Sequence, residues 1–243
     1  MPRLRLDWRK TFAELLTIVV GVLIALGAGD WWEGIRERAE AASYTERLIA
    51  ALESDELEFE DAARRALSVD SAALEVLAVY RGQELSSDAA EEFARAVLEA
   101  SWMPPPTLAT DTYEDLVSTG RLALLPTGAR EALSAYYGRV KVVEEQEAIF
   151  RARLASGYWT VPPRVLGADL LPAVWSHARA PAEQPLSVSE ADLREIVRHL
   201  RQLPELEPWI ADVRHVMTQR AANYSGDLAG RTETVKEALA VLK

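Results

Sequence analysis

The stretch "LLTIVVGVLIALGAGDWWE", Leu15 to Glu33, constrains this chain more than any other. Leu15 to Gly29 is fifteen residues without a charge. A helix crossing hydrocarbon needs about 20 apolar residues, so the run alone is short. Tryptophans lengthen it: Trp8 precedes it, and Trp31 and Trp32 follow. At about 1.5 Å per residue, Trp8 and Trp31 lie roughly 34 Å apart, near the thickness of a hydrocarbon core with its interfaces. Tryptophan favours those interfaces, where its ring is half wet, so Trp8, Trp31 and Trp32 are assigned as membrane-interface residues. Three fates stand open: an uncleaved anchor, a cleaved signal peptide, or a buried soluble helix. Arg3, Arg5, Arg9 and Lys10 ahead of the run, and Gly27, Ala28 and Gly29 at its end, suit a signal peptide. The helical pattern nevertheless continues straight through "EGIRERAEAASYTERLIAALE", which favours the anchor.

Four basic residues precede the span, while Arg36 and Arg38 beyond it are interleaved with Asp30, Glu33, Glu37 and Glu40. The positive-inside rule then places the N-terminus in the cytoplasm and the bulk of the chain outside it. One face of the span carries Thr17, Gly21, Ala25 and Gly29, each four apart. Small residues at this spacing let two helix backbones approach closely, so the face is a candidate helix–helix seam and a homo-oligomer is expected.

The remainder suits a folded domain: the 243-residue chain is 49 % hydrophobic and 27 % charged. Its formal net charge of -11 repels phosphate backbones, so no nucleic-acid partner is expected. There is no cysteine, which excludes disulfides, thiolate metal sites, Fe–S clusters and cysteine nucleophiles.

Helical spacing dominates after the span. Tyr44, Leu48, Leu52, Phe59 and Ala66 recur at three- to four-residue steps or their multiples. No Pro or Gly interrupts from Ile35 to Arg81, which predicts one very long helix, with Ser68–Ser71 its weakest point and Gly82 its end. Asp88 with Glu91 and Asp111 with Glu114 read as capping-box starts of shorter helices. "WMPPPT", Trp102 to Thr107, reads as a rigid non-helical connector. Gly120 is placed to cap, and a further long helix runs from Thr127 to about Ser156. Residues 157–188 hold five prolines and two tryptophans and are expected as an ordered irregular loop with one short helix. Ser189 and Asp192 start the next helix, and a last one runs from about Glu205 to Leu242, weakened at Gly226 and Gly230.

Two blocks, "IVVGVLIALGAGDWWEGIRERAEAASYTERLIAALESD" and "TYEDLVSTGRLALLP" with "REALSAYYGRV", resemble an uncharacterised bacterial family of membrane-anchored helical proteins. The family hallmark is an apolar GVLIAL segment, a Trp, a charged helix and a Tyr–x–x–(Arg/Lys)–Leu run, here Tyr44, Arg47 and Leu48. This chain departs from it at Gly27–Trp31, where relatives carry a more polar stretch. The resemblance implies a membrane-anchored helical protein and supplies no reaction; together with the span and its basic flank, the expected location is a bacterial inner membrane.

Few residues carry a pattern that chemistry would need. Glu195 and His199 have metal-ligand spacing, but no second such pair accompanies them, so they read as an ordinary surface pair and no metal site is expected. His215, among Val213, Val216 and Met217, reads as a packing or boundary residue. The acidic run Glu53–Asp61 lacks the glycine and alternating ligands of a calcium loop and reads as a solvated helix face. No catalytic constellation and no cofactor motif is visible. Trp159, Trp175 and His177, in the Pro/Trp-rich stretch, are the ligand-pocket candidates.

The expected architecture is therefore all-α: a basic tail (residues 1–11), a transmembrane helix (12–32), and a helical domain (33–243) with the Pro/Trp-rich loop at 157–188. The transmembrane helix continues as a long stalk helix into an extracytoplasmic helical bundle. The expected role is a self-associating structural or interaction protein of the cell envelope. The alternative is a small-molecule sensor or binding module acting through a membrane-protein partner.

Overall fold

The computed structural model describes residues 8–179 and 186–241, and among these there is no strand. The basic residues Arg3 and Arg5 of the N-terminal tail, and Pro181 and Pro185, lie outside the described residues. Helix α1 runs unbroken from Trp8 to Tyr80, 73 residues and about 110 Å at about 1.5 Å per residue. It passes through Ser68–Ser71 without a break, because Ala66, Val69, Ala72 and Ala73 there are buried against neighbouring helices. Packing of an apolar face outweighs the weak helix preference of serine. Gly82, at φ 115°, then turns the chain in a conformation that side chains disfavour.

Two registers of a seven-residue repeat hold α1 to the domain. Thr45, Leu52, Phe59, Ala66 and Ala73 form one, and Leu48, Asp55, Ala62, Val69 and Val76 the other; all are buried. A strict heptad keeps one seam facing its partners along the whole length. Two hydrophobic cores share that seam. The nearer one gathers Leu48, Leu52 and Phe59 with Leu133 and Tyr136 of α4 (Thr127–Ala155) and Leu239 of α8 (Ala229–Ala240). The farther one gathers Val69 and Val76 with Phe93 of α2 (Ala90–Glu99), Ile196 of α6 (Glu190–Arg201), and Ile210 and Val213 of α7 (Leu206–Ala222). Between α2 and α3 (Asp111–Ser118), residues 102–110 form the expected non-helical connector.

Several expectations need correction. The stretch 157–188 is largely helical: a 3₁₀ turn at Tyr158–Thr160 leads into α5, Val161–Arg179. Pro162 and Pro163 fall in the first turn, where their missing N–H groups have no intrahelical role. Gly167, at φ 71° and ψ -179°, breaks α5 into two segments, so Pro172 falls near the start of the second. Asp88 and Asp111 do not cap. A 3₁₀ turn at Ser87–Ala89 precedes α2, and neither it, α2 nor α3 has a side-chain cap bond. Ser189 does cap α6, as expected: its hydroxyl accepts from the Asp192 N–H, while the Asp192 carboxylate accepts from the Ser189 N–H. The last long helix is divided by a π-helical segment, Asn223–Leu228, around the suspected Gly226. His215 is exposed, since Val213, Val216 and Met217 take the inward positions around it.

The segments around Tyr44 and Arg121 meet near the base of the domain. The Tyr44 hydroxyl donates to Asp115 at 2.7 Å and accepts from Arg121 at 3.1 Å. Arg121 also pairs with Glu40 at 3.0 Å. Gly120, at φ 72°, aims the turn that presents Arg121. The Arg121–Leu124 turn thereby lies beside Trp32, Arg36 and Glu40 of α1, where the helix leaves the domain.

Candidate functional site

The acidic run on α1 is a solvated face only in part: Glu53 and Glu60 are exposed, whereas Asp55 and Glu56 tie helices together. Asp55 is 0 % exposed. It accepts from the Tyr136 hydroxyl and from the Ala109 N–H, each at 2.7 Å. It thus ties α1 to α4 and to the connector. Burial raises the Asp55 pKa, opposed by those two hydrogen bonds. Burial also raises Tyr136, and the Asp55 charge adds to it. Glu56 takes Thr232 at 2.7 Å and Lys236 at 2.8 Å from α8. Burial pushes Glu56 up, but these bonds outweigh it and hold the carboxyl below its ordinary range.

A second buried group lies on α4 and α7. Arg220, 1 % exposed, donates from Nε to Glu147 Oε1 at 2.7 Å and from a terminal nitrogen to the Pro104 carbonyl at 2.9 Å. The Tyr224 hydroxyl donates to the same Glu147 oxygen at 2.8 Å, and the other, Oε2, has no hydrogen-bond partner. Every polar partner here is another part of the fold. The group cross-links the molecule and presents nothing to a ligand.

A concave surface that gathers the selected tryptophans lies elsewhere, where the end of α2 and the connector face α5. Two adjoining cavities, about 480 Å³ and 330 Å³, share Leu98, Trp102, Trp175 and Arg179. The larger is apolar, walled by Trp159, Pro162, Pro163 and Leu171. The smaller carries Arg65, Arg95, Glu99 and His177. Trp102 and Trp175 meet edge to face, 5.4 Å between centroids at 64°. That geometry sets the positive edge of one ring against the negative face of the other. The Arg179 guanidinium lies 5.0 Å from the Trp175 ring centroid, a cation–π contact. His177 Nε2 is 3.3 Å from Glu91. Arg65 pairs with Asp61, yet its buried Nε has no acceptor, and neither has the buried Nε1 of Trp159.

Trp159 and Trp175 line the larger cavity, and Trp175 and His177 the smaller. Glu195 and His199 form a surface pair at 3.7 Å. Among the described residues no group of three or more His, Asp or Glu is placed to hold a metal ion. Trp31 and Trp32 are exposed on α1, and so are Gly21 and Gly29. Sequence reasoning missed Trp102, Arg179, Asp55, Glu147 and Arg220. Signals existed for two of them. Glu147 extends the apolar spacing of Val140 and Val143, and Arg220 extends that of Val213 and Met217. A charge on an apolar register marks a buried partner. The arrangement is suited to binding: an apolar slot with a cationic rim. Comparison with protein-family models, curated proteins and solved structures finds no match to this chain.

Proposed function

We propose that this chain is a membrane-anchored helical interaction protein that carries its domain on a rigid extension of its own anchor. The supporting observation is the state of α1 at its N-terminal end. Leu15, Ile18, Val19, Val22, Leu23 and Ile24 point around the whole helix and all are exposed. By length and composition this helix is able to cross a membrane. A helix apolar on every side finds its low-energy surroundings in hydrocarbon, at about 1.5–3 kcal/mol for each such side chain withdrawn from water. The helix runs without interruption through Gly27–Gly29, whereas a signal-peptide cleavage site sits in extended chain. Arg121, bonded to Glu40 and Tyr44, braces the domain against α1 close to the interfacial Trp31 and Trp32. In this reading the N-terminus is cytoplasmic, the domain is extracytoplasmic, and the location is a bacterial inner membrane.

The full chain is expected to stay in the membrane pellet through carbonate extraction. Alkaline phosphatase fused after Lys243 is expected to be active, and a fluorescent protein fused there dark. Release into the carbonate supernatant refutes the anchor, and the opposite reporter pattern refutes the orientation. Self-association through Thr17, Gly21, Ala25 and Gly29 belongs to the same proposal. A Cβ added at Gly21 or Gly29 meets no atom within 4 Å, so that face has room for a second helix. Gly21→Ile is expected to reduce cross-linked dimers in membranes at least about threefold, as a branched side chain forces the backbones apart. Unchanged cross-linking removes the seam from the proposal.

A second reading rests on the Trp/Pro-walled groove. A preformed apolar slot with few polar groups is the usual form of a small-molecule site. By α-helical rise, Arg65 at its edge lies about 50 Å along α1 from Trp32, well clear of a bilayer. The domain then acts as a binding module held above the membrane.

A further inference from the structure

We infer that the groove between α2, the connector and α5 takes an aromatic carboxylate: one or two flat rings in the larger cavity, with the carboxylate at Arg179. This rests on the reading of the groove as a small-molecule site and names its ligand class. Shape comes first. The larger cavity, about 480 Å³, is bounded by Trp102, Trp159 and Trp175 with Pro162 and Pro163. Flat, stiff walls of this kind favour rings, which stack or meet edge to face without losing rotamer freedom. The chain carries a net charge of -11, yet the smaller cavity is lined by three arginines, Arg65, Arg95 and Arg179, against one carboxylate, Glu99. Arg65 is matched by Asp61, and His177 by Glu91. Among the described residues Arg179 forms no ion pair or hydrogen bond; its guanidinium rests on the Trp175 face at 5.0 Å. Arg95, whose charge also acts on Glu75, lines the smaller cavity with Arg179. A guanidinium stacked on a ring keeps its in-plane N–H fork free, the geometry that grips a carboxylate with two bonds. Arg179 lines both cavities, so a ligand whose rings fill the larger one has its acid group within reach.

The test uses the full chain in lipid nanodiscs, with empty nanodiscs as the blank, and two probes of equal ring and length. 2-Naphthylacetate is the anion and 2-naphthylethanol its uncharged counterpart. Isothermal titration is expected to show saturable binding of 2-naphthylacetate, at least about tenfold tighter than 2-naphthylethanol. Arg179→Gln is expected to weaken the acid at least about tenfold and to leave the alcohol within about twofold. Trp175→Ala is expected to weaken both. Both side chains are on the surface, so each variant is checked for unchanged helicity and melting before titration. Equal affinity for the two probes, or an acid affinity unmoved by Arg179→Gln, overturns the carboxylate assignment while leaving the groove as a binding site. No saturable binding of either probe overturns both.

Discussion

Glu147→Ala is expected to destabilise the folded domain by about 3–5 kcal/mol, the range for breaking a buried ion pair by removing one partner. The loss comes less from the missing attraction than from what remains. Arg220 is 1 % exposed and would keep the Pro104 carbonyl and the Tyr224 side chain but no carboxylate, while the Tyr224 hydroxyl would lose its acceptor. For a domain of this size the change corresponds to a fall in Tm of roughly 6–20 °C. The double change Glu147→Leu with Arg220→Met is expected to recover at least about half of the loss, because it removes both charges and keeps the volume. Urea unfolding followed by circular dichroism measures both variants. A single-variant loss below about 1 kcal/mol would show that the pair is not desolvated as the structure has it.

Asp55→Ala is expected to cost about 2–4 kcal/mol. It leaves two buried donors without acceptors, the Tyr136 hydroxyl and the Ala109 N–H, at about 1–3 kcal/mol each, offset in part by removal of a buried carboxylate. Asp55→Asn is expected to lie within about 1 kcal/mol of the parent at neutral pH. The amide oxygen still accepts from Ala109, and the Tyr136 hydroxyl rotates to accept from the amide nitrogen. The pH dependence has a definite sign. Burial raises the folded-state pKa of Asp55 above its unfolded value. Its contribution is therefore fullest below the unfolded value and is lost as pH rises through the raised one. The stability of the parent relative to Asp55→Asn is thus expected to increase on acidification from neutral pH. Glu56 and Asp227 act oppositely. Asp227 is held low first by its bond from Arg231 and then by Arg139, and both carboxyls lose their contribution as pH falls. Total stability alone therefore does not isolate Asp55, whereas the difference between parent and Asp55→Asn does. A difference that is flat or shrinks with acid refutes the assignment.

The limits of the sequence show most clearly in these two carboxylates. Helix α1 beyond Gly34 was legible because apolar residues recur at helical spacing for many turns without Pro or Gly, and local spacing alone sets that pattern. The stops at Gly82 and Gly120 were legible for the same reason, since each needs a positive φ that few other residues adopt. Asp55 was not legible. It sits among Glu53, Glu56, Glu58 and Asp61, and in one dimension a buried acid looks like a solvated one. Its burial depends on Tyr136 and Ala109, which are 81 and 54 residues away. The helical character of α5 was hidden differently. Pro162 and Pro163 count as breakers in a composition tally and as starters once their place in the first turn is known.

For the candidate site, the sequence by itself determined that Trp159, Trp175 and His177 share one apolar, proline-rich stretch. Only the tertiary structure decided that Trp102, from the connector, completes the wall, and that Arg179 joins the two cavities. The same division holds for the whole chain. Periodicity along a helix is a local property and survives in the sequence, so the all-helical fold and the apolar run at Leu15–Gly29 were readable from it. Which face meets which, and which charges lose their water, is set by contacts between residues far apart in the chain. The folded packing decides those contacts, and no short window of sequence records them.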